Sequence, residues 1–133
     1  MKNNILEDCL RQSIKLNYKH PEKHNGYHHF SFIIQNNTIL GHGFNRGGGA
    51  KPLIGYKSHQ KLHSENTVYF KVKGILENRK SFEMINIRLT KQNELRISRP
   101  CECCISFLFG LGCSCVFFTT GLVEYQWAKI NLH

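Results

Sequence analysis

Ile5, Leu6, Cys9, Leu10 and Ile14 recur at about one helical turn, so the pattern predicts an amphipathic helix over residues 4–16. The polar stretch that follows, with Pro21 and Gly26, reads as a loop. The chain then changes to runs rich in β-formers, which predict strands over 28–35 and 38–45. Between them Asn36-Asn37 suits a hairpin turn, because asparagine tolerates the positive φ that tight hairpins demand. Residues 46–61 are glycine-rich and basic, without periodicity, and read as a long exposed loop. Helical spacing returns over 62–75, with Leu62, Val68, Tyr69, Val72 and Ile75 available for packing and the helix starting at or just before His63.

In "FEMINIRLT" the alternation of Ile85, Ile87 and Leu89 predicts a strand. After the turn "KQNE", Pro100 suits the first turn of a third helix that ends at Gly110 or Gly112. "CSCVFFTT" reads as a buried strand, and Phe107, Phe109, Phe117 and Phe118 are assigned to the core. Only 13 residues follow Thr120, too few for a crossover helix and a further strand. Gly121 therefore turns the chain into a last strand around 123–130, antiparallel to the one before, with Trp127 packing on the sheet. The order is αββαβαββ, an α/β arrangement with a mixed sheet.

Composition narrows the class. A length of 133 residues fits one domain, 1–133, and 41% hydrophobic content excludes general disorder. No apolar run approaches the roughly 18 residues of a membrane span, and the N-terminal apolar residues are broken by Glu7, Asp8 and Arg11, unlike a secretory signal. A cytoplasmic protein without a membrane partner is expected, with a secreted-toxin origin left open. The net charge of +9 favours polyanionic partners, although plain solubility accounts for it equally well. Of the 6 cysteines Cys9 stands alone and five fall between 101 and 115, a clustering that in a reducing compartment suggests metal.

That cluster carries the candidate chemistry. Cys101 and Cys104 lie three apart at a helix start, so both thiols project from one side of the first turn while Cys103 points away. The helix N-terminus favours the thiolates that zinc requires. His63 opens the preceding helix, 38 positions upstream, which leaves room for that helix to finish and one strand to cross. One His and two Cys make three ligands and leave a fourth position open, the feature that separates catalytic from structural zinc. Glu65, two residues past His63, is placed to move protons without binding metal. A structural site completed by Cys113 and Cys115 is the competing reading, but their alternation on a strand marks them as buried apolar residues, and Cys103 and Cys9 are likewise read as small apolar residues. The spacings of His20, His24, His28, His29, His42 and His59 fit no second metal site, and each reads as solvated.

"HSE" at 63–65 followed by "PCECC" at 100–104 resembles the zinc-dependent cytidine deaminase superfamily, whose signature is H-x-E then P-C-x-x-C. The resemblance implies a three-layer fold with a five-stranded mixed sheet flanked by helices. It implies one zinc ion held by His63, Cys101 and Cys104, Glu65 as proton shuttle, and hydrolytic attack at C4 of cytosine. It also places Asn45, near the end of the second strand, against the substrate's sugar. The short tail resembles the branch with a C-terminal hairpin, which includes free-cytidine deaminases and secreted toxin deaminases, and argues against the dCMP and tRNA-adenosine branches. Against free cytidine stand Ile105-Ser106 in place of the Arg-Gln usual after the second Cys, and a "GHGFNRGGG" segment without the ribose-binding Glu. Arg46, Lys51, Lys57 and Lys61 beside Tyr56 could track a phosphate backbone while the ring stacks a base, and Arg99 could contact a phosphate. Single-stranded DNA or RNA is thus the expected substrate, with free cytidine or deoxycytidine as the alternative, adenine as an outside choice, and a non-catalytic zinc-stabilised nucleic-acid-binding protein as the third reading.

Overall fold

Asn36 and Asn37 adopt φ of 54° and 58°. This pair forms the tight turn between two antiparallel strands, β1 (Tyr27–Gln35) and β2 (Thr38–Phe44). A computed structural model describes residues 3–19, 27–44, 63–77 and 80–132 of the chain. The elements in chain order are α1 (Asn3–Lys19), β1, β2, α2 (Ser64–Val72), β3 (Phe82–Thr90), β4 (Leu95–Arg96), α3 (Glu102–Leu111), β5 (Cys113–Thr119) and β6 (Trp127–Asn131). The sheet runs β2-β1-β3-β5-β6, with β4 on β3. β3 is antiparallel to β1 and parallel to β5, and β6 is antiparallel to β5, so the sheet is mixed and ends in the expected C-terminal hairpin.

Alternation along β1 and β3 sorts the core into two layers. Phe30, Phe32, Ile34, Ile85, Ile87 and Leu89 point to one face, where Ile5, Leu6 and Cys9 of α1 cover them. Ile33, Phe82, Met84 and Val116 point to the other, under Val68 and Val72 of α2 and Leu108 of α3. The two glycines of "GHG" explain how closely α2 lies on this second face. A Cβ at Gly43 would fall 2.6 Å from the backbone nitrogen of Val68, and one at Gly41 would fall 2.6 Å from Val72 Cγ1. Glycine lets the helix rest on β2 with no side chain between them.

Several expectations are revised. The sheet has six strands among the described residues instead of five, because β4 adds a two-residue pairing, Arg88↔Arg96 and Leu89↔Leu95, to the upper half of β3. Pro100 lies before the N-cap of α3 and not in its first turn, and the last strand begins at Trp127 after a turn that leaves Leu122, Val123 and Tyr125 exposed. α2 stops at Val72, so Ile75 is exposed in the turn that follows. Phe109 is exposed as well, on the outer side of α3, whereas Phe107 packs edge-on against Tyr69 with ring centroids 5.6 Å apart. His28 is buried, not solvated: its Nδ1 meets Asn17 Oδ1, and Asn17 Nδ2 in turn donates to the carbonyl of Thr90 at 2.8 Å, tying α1 to the sheet.

Candidate functional site

Two helix starts converge over the middle of β3. His63 is the N-cap of α2 (φ −81°, ψ 155°) and Cys101 the N-cap of α3 (φ −71°, ψ 166°), and neither side chain caps its helix. Their carbonyls accept the first helical bonds, from Thr67 N–H and Ile105 N–H, which leaves both side chains for other work. His63 Nδ1 lies 3.2 Å from Cys104 Sγ and 3.5 Å from Cys101 Sγ, and the three ligand atoms all lie within 4.8 Å of one another. A tetrahedral zinc with bonds of about 2.0 Å to nitrogen and 2.3 Å to sulfur separates such atoms by roughly 3.5 Å, so the donor set fits the ion. This group could hold a metal ion, and among the described residues it is the one His, Cys, Asp or Glu group that could. Among the described residues no fourth protein ligand joins it.

Among the described residues, Cys113 and Cys115 do not join the His63, Cys101 and Cys104 group. Burial pushes the Cys113 thiol up to about 12, with Cys115 and Glu83 adding to it, and burial with the nearby Glu83 raises Cys115.

Glu65 occupies the first turn of α2, where the helix dipole favours a carboxylate, and is 4% exposed. Its Oε2 accepts from Asn86 Nδ2 at 2.9 Å, and the same amide group donates to the carbonyl of Ser98 at 3.4 Å. Two acceptors on one side of Asn86 fix which end is nitrogen. Asn86 Oδ1 therefore faces Ser31 Oγ, which donates to it at 2.6 Å. Ser31 Oγ also lies 2.7 Å from Ser64 Oγ, and Ser64 Oγ lies 3.3 Å from Glu65 Oε1. Glu65, Asn86, Ser31 and Ser64 thus close a ring of buried side chains. Proton counting gives the ring its direction. With the Ser31 proton committed to Asn86, the single Ser64 proton serves two acceptors, Ser31 Oγ at 2.7 Å and Glu65 Oε1 at 3.3 Å.

None of Ser31, Ser64 or Asn86 was singled out from the sequence. The available signal was local: Ser31 sits between Phe30 and Phe32, and Asn86 between Ile85 and Ile87, polar residues on the buried second face of apolar strands. Ser31 and Asn86 are direct partners in the β1–β3 register. Asn66 was missed too. It is 0% exposed, and neither Nδ2 nor Oδ1 has a hydrogen-bond partner. It stands three residues from both His63 and Tyr69, whose contacts to Cys104 and Phe107 turn that side of α2 toward α3.

Of the other sequence candidates, Arg99 is exposed two residues before Cys101. Asn45, Arg46, Tyr56 and the lysines of the basic loop lie outside the described residues. No helix of the described chain is long and apolar enough to cross a membrane.

No protein-family model matches the chain, and no curated protein does. Solved structures do. A dCMP deaminase from the cyanophage S-TIM5, in complex with dCMP and dUMP, superposes with a TM-score of 0.55 at 19% identity, over 86% of this chain and 79% of that one. The same enzyme in apo form gives a TM-score of 0.53 at 19% identity, over 86% and 81%. The chain has the cytidine deaminase-like fold.

Proposed function

We propose that this chain is a zinc-dependent hydrolase that converts a cytosine amine to a carbonyl and releases ammonia. The observation that carries the reading is the juxtaposition of His63, Cys101 and Cys104, with three donor atoms and no fourth among the described residues, beside a buried carboxyl held in the Asn86–Ser31–Ser64 ring. Zinc, when bound, supplies a Lewis acid that makes water a nucleophile near neutral pH. Glu65 does the proton work in two transfers. It takes one proton from water and gives it to the ring nitrogen as C4 is attacked. It then takes the remaining proton from the new C4 hydroxyl and gives it to the amine, which leaves as ammonia as the C4–N bond breaks and the carbonyl forms. Asn86 holds Glu65 Oε2 in place, so Oε1 is the atom that exchanges the proton.

For the substrate, the sequence favours cytosine in single-stranded DNA or RNA, through the +9 charge and the basic 46–61 loop. A mononucleotide is the second reading, favoured by the dCMP and dUMP bound to the cyanophage neighbour. The test is uracil formation from deoxycytidine, dCMP and single-stranded oligonucleotides by zinc-loaded protein. Conversion of at least one supports the reading, and conversion of none overturns it. The ranking of the three assigns the substrate.

A further inference from the structure

The metal group joins two thiols of opposite accessibility. Cys101 is exposed at the N-cap of α3, and Cys104, one turn further on, is 0% exposed. Their Sγ atoms lie within 4.8 Å of each other, and both approach His63 Nδ1, at 3.5 Å and 3.2 Å. At that separation no third heavy atom fits between the sulfurs. The carbonyl of Cys101 accepts from Ile105 N–H at 2.9 Å, which fixes its backbone, while its side chain makes no capping bond. Rotation about the Cys101 Cα–Cβ bond therefore carries one sulfur toward the other without disturbing the helix.

The remaining cysteines are placed differently. Cys9, Cys113 and Cys115 are buried, and no disulfide joins any of the six. Cys103 is half-buried, and at about 100° per residue it leaves α3 on a different side from Cys104. Thiol oxidation follows exposure, so it begins at Cys101. A helix start bearing C-x-x-C then sets a second thiol within reach of the first.

We infer that Cys101 and Cys104 form a peroxide-sensitive dithiol, a reversible oxidation site whose disulfide and whose metal-binding form exclude each other. The inference goes beyond the deaminase reading and stands on the donor group alone. Hydrogen peroxide oxidises the exposed Cys101 thiol to a sulfenic acid as the O–O bond breaks and one water leaves. The Cys104 sulfur then attacks the Cys101 sulfur, the S–O bond breaks, and the hydroxyl departs with the Cys104 proton as a second water. Two thiols and one peroxide thus give one disulfide, with an S–S bond of about 2.05 Å, and two waters. A disulfide sulfur is no thiolate, so two of the three donors are lost and His63 alone remains. The bridge closes only one helical turn and has an exposed end, so it restrains the unfolded chain little and is readily reduced.

The test treats the zinc-loaded full chain with hydrogen peroxide beside a zinc indicator, then alkylates the remaining thiols and maps the peptides. Cleavage after Glu102 puts Cys101 on one peptide and Cys103 with Cys104 on the next, so a bridge appears as two joined peptides. The expected result is that joined pair, with about one zinc released per bridge, and with dithiothreitol restoring both thiols and zinc uptake. Cys103→Ser keeps the bridge and the release, whereas Cys101→Ser leaves Cys104 open to alkylation once the chain is denatured. Separate peptides after peroxide, a Cys101 sulfinic acid beside an alkylated Cys104, or loss of the joined pair in Cys103→Ser overturns the proposal. So does bridged protein that keeps its zinc. The peptide map reads the bridge whatever the starting zinc content, and zinc uptake by reduced and oxidised samples gives the metal readout for protein that begins without it.

Discussion

Asn66 shows how one residue can be out of balance with its surroundings. A fully buried amide with no partner at either end forfeits its hydrogen bonds to water, while a same-shaped apolar side chain forfeits nothing. Asn66→Leu is therefore expected to stabilise the fold by about 1–3 kcal/mol, read as a rise in the urea midpoint at unchanged slope. An unchanged or lower midpoint would show that the amide has a use in the folded state. The contrast with Asn86 is physical. Asn86 is as buried but satisfies Glu65, Ser31 and Ser98, so its amide orients a carboxyl instead of opposing the core. From the sequence, His63, Glu65, Cys101 and Cys104 were legible because their spacing at helix starts is a chemical requirement. Ser31, Asn86 and Asn66 were not, since a lone polar residue in an apolar run does not reveal whether it will find a partner across the sheet.

At the scale of elements, the decisive contact is that of α2 on β2. Gly43→Ala sets a methyl group 2.6 Å from the Val68 backbone nitrogen, which cannot rotate away, whereas Gly41→Ala meets a valine methyl that can. Gly43→Ala is expected to destabilise by about 1–3 kcal/mol and to lower zinc retention by displacing His63, with Gly41→Ala clearly milder in both thermal melts and metal analysis. Equal effects would mean that α2 is free to shift. The boundaries of β1, β2, β3 and β5 were readable from periodicity and turn residues, whereas α1 runs on to Lys19, past the expected end at residue 16. β4 escaped because two residues carry no period, and the paired arginines that define it lie in separate segments, "IRLT" and "ELRIS". The end of α2 was overextended for a related reason: Ile75 continues the apolar spacing but falls past the last turn that β2 supports.

The whole molecule carries an alkaline liability. Burial, with Asp8 adding for one and Cys115 for the other, pushes the Cys9 and Cys113 thiols to about 12 from an ordinary value of 9.0. A thiol whose folded pKa is raised favours the native state fully below its unfolded pKa, and that contribution is lost as pH rises toward the folded value. Unfolding free energy should thus hold steady from pH 7 to 8.5 and fall above about 9, by at most about 1.4 kcal/mol per pH unit for each thiol. Cys9→Ala should flatten that fall in a urea series from pH 8 to 11; an identical slope would place the liability elsewhere. The two thiols lie in different layers, Cys9 under α1 and Cys113 under α3, so the loss reaches both halves of the core.

The same layering brings two helix starts onto one strand, and the account stands or falls on what Glu65 does there. The direct measurement is ammonia and uracil release from deoxycytidine, dCMP and single-stranded oligonucleotides by zinc-loaded wild type and Glu65→Ala, with zinc content determined on the same samples. The account predicts about one zinc per chain in both proteins, turnover of at least one cytosine substrate by wild type, and loss of about a hundredfold or more of that turnover in Glu65→Ala. Equal behaviour of the two proteins in every assay would contradict it, and would leave a metal-stabilised fold without the chemistry assigned to its carboxyl.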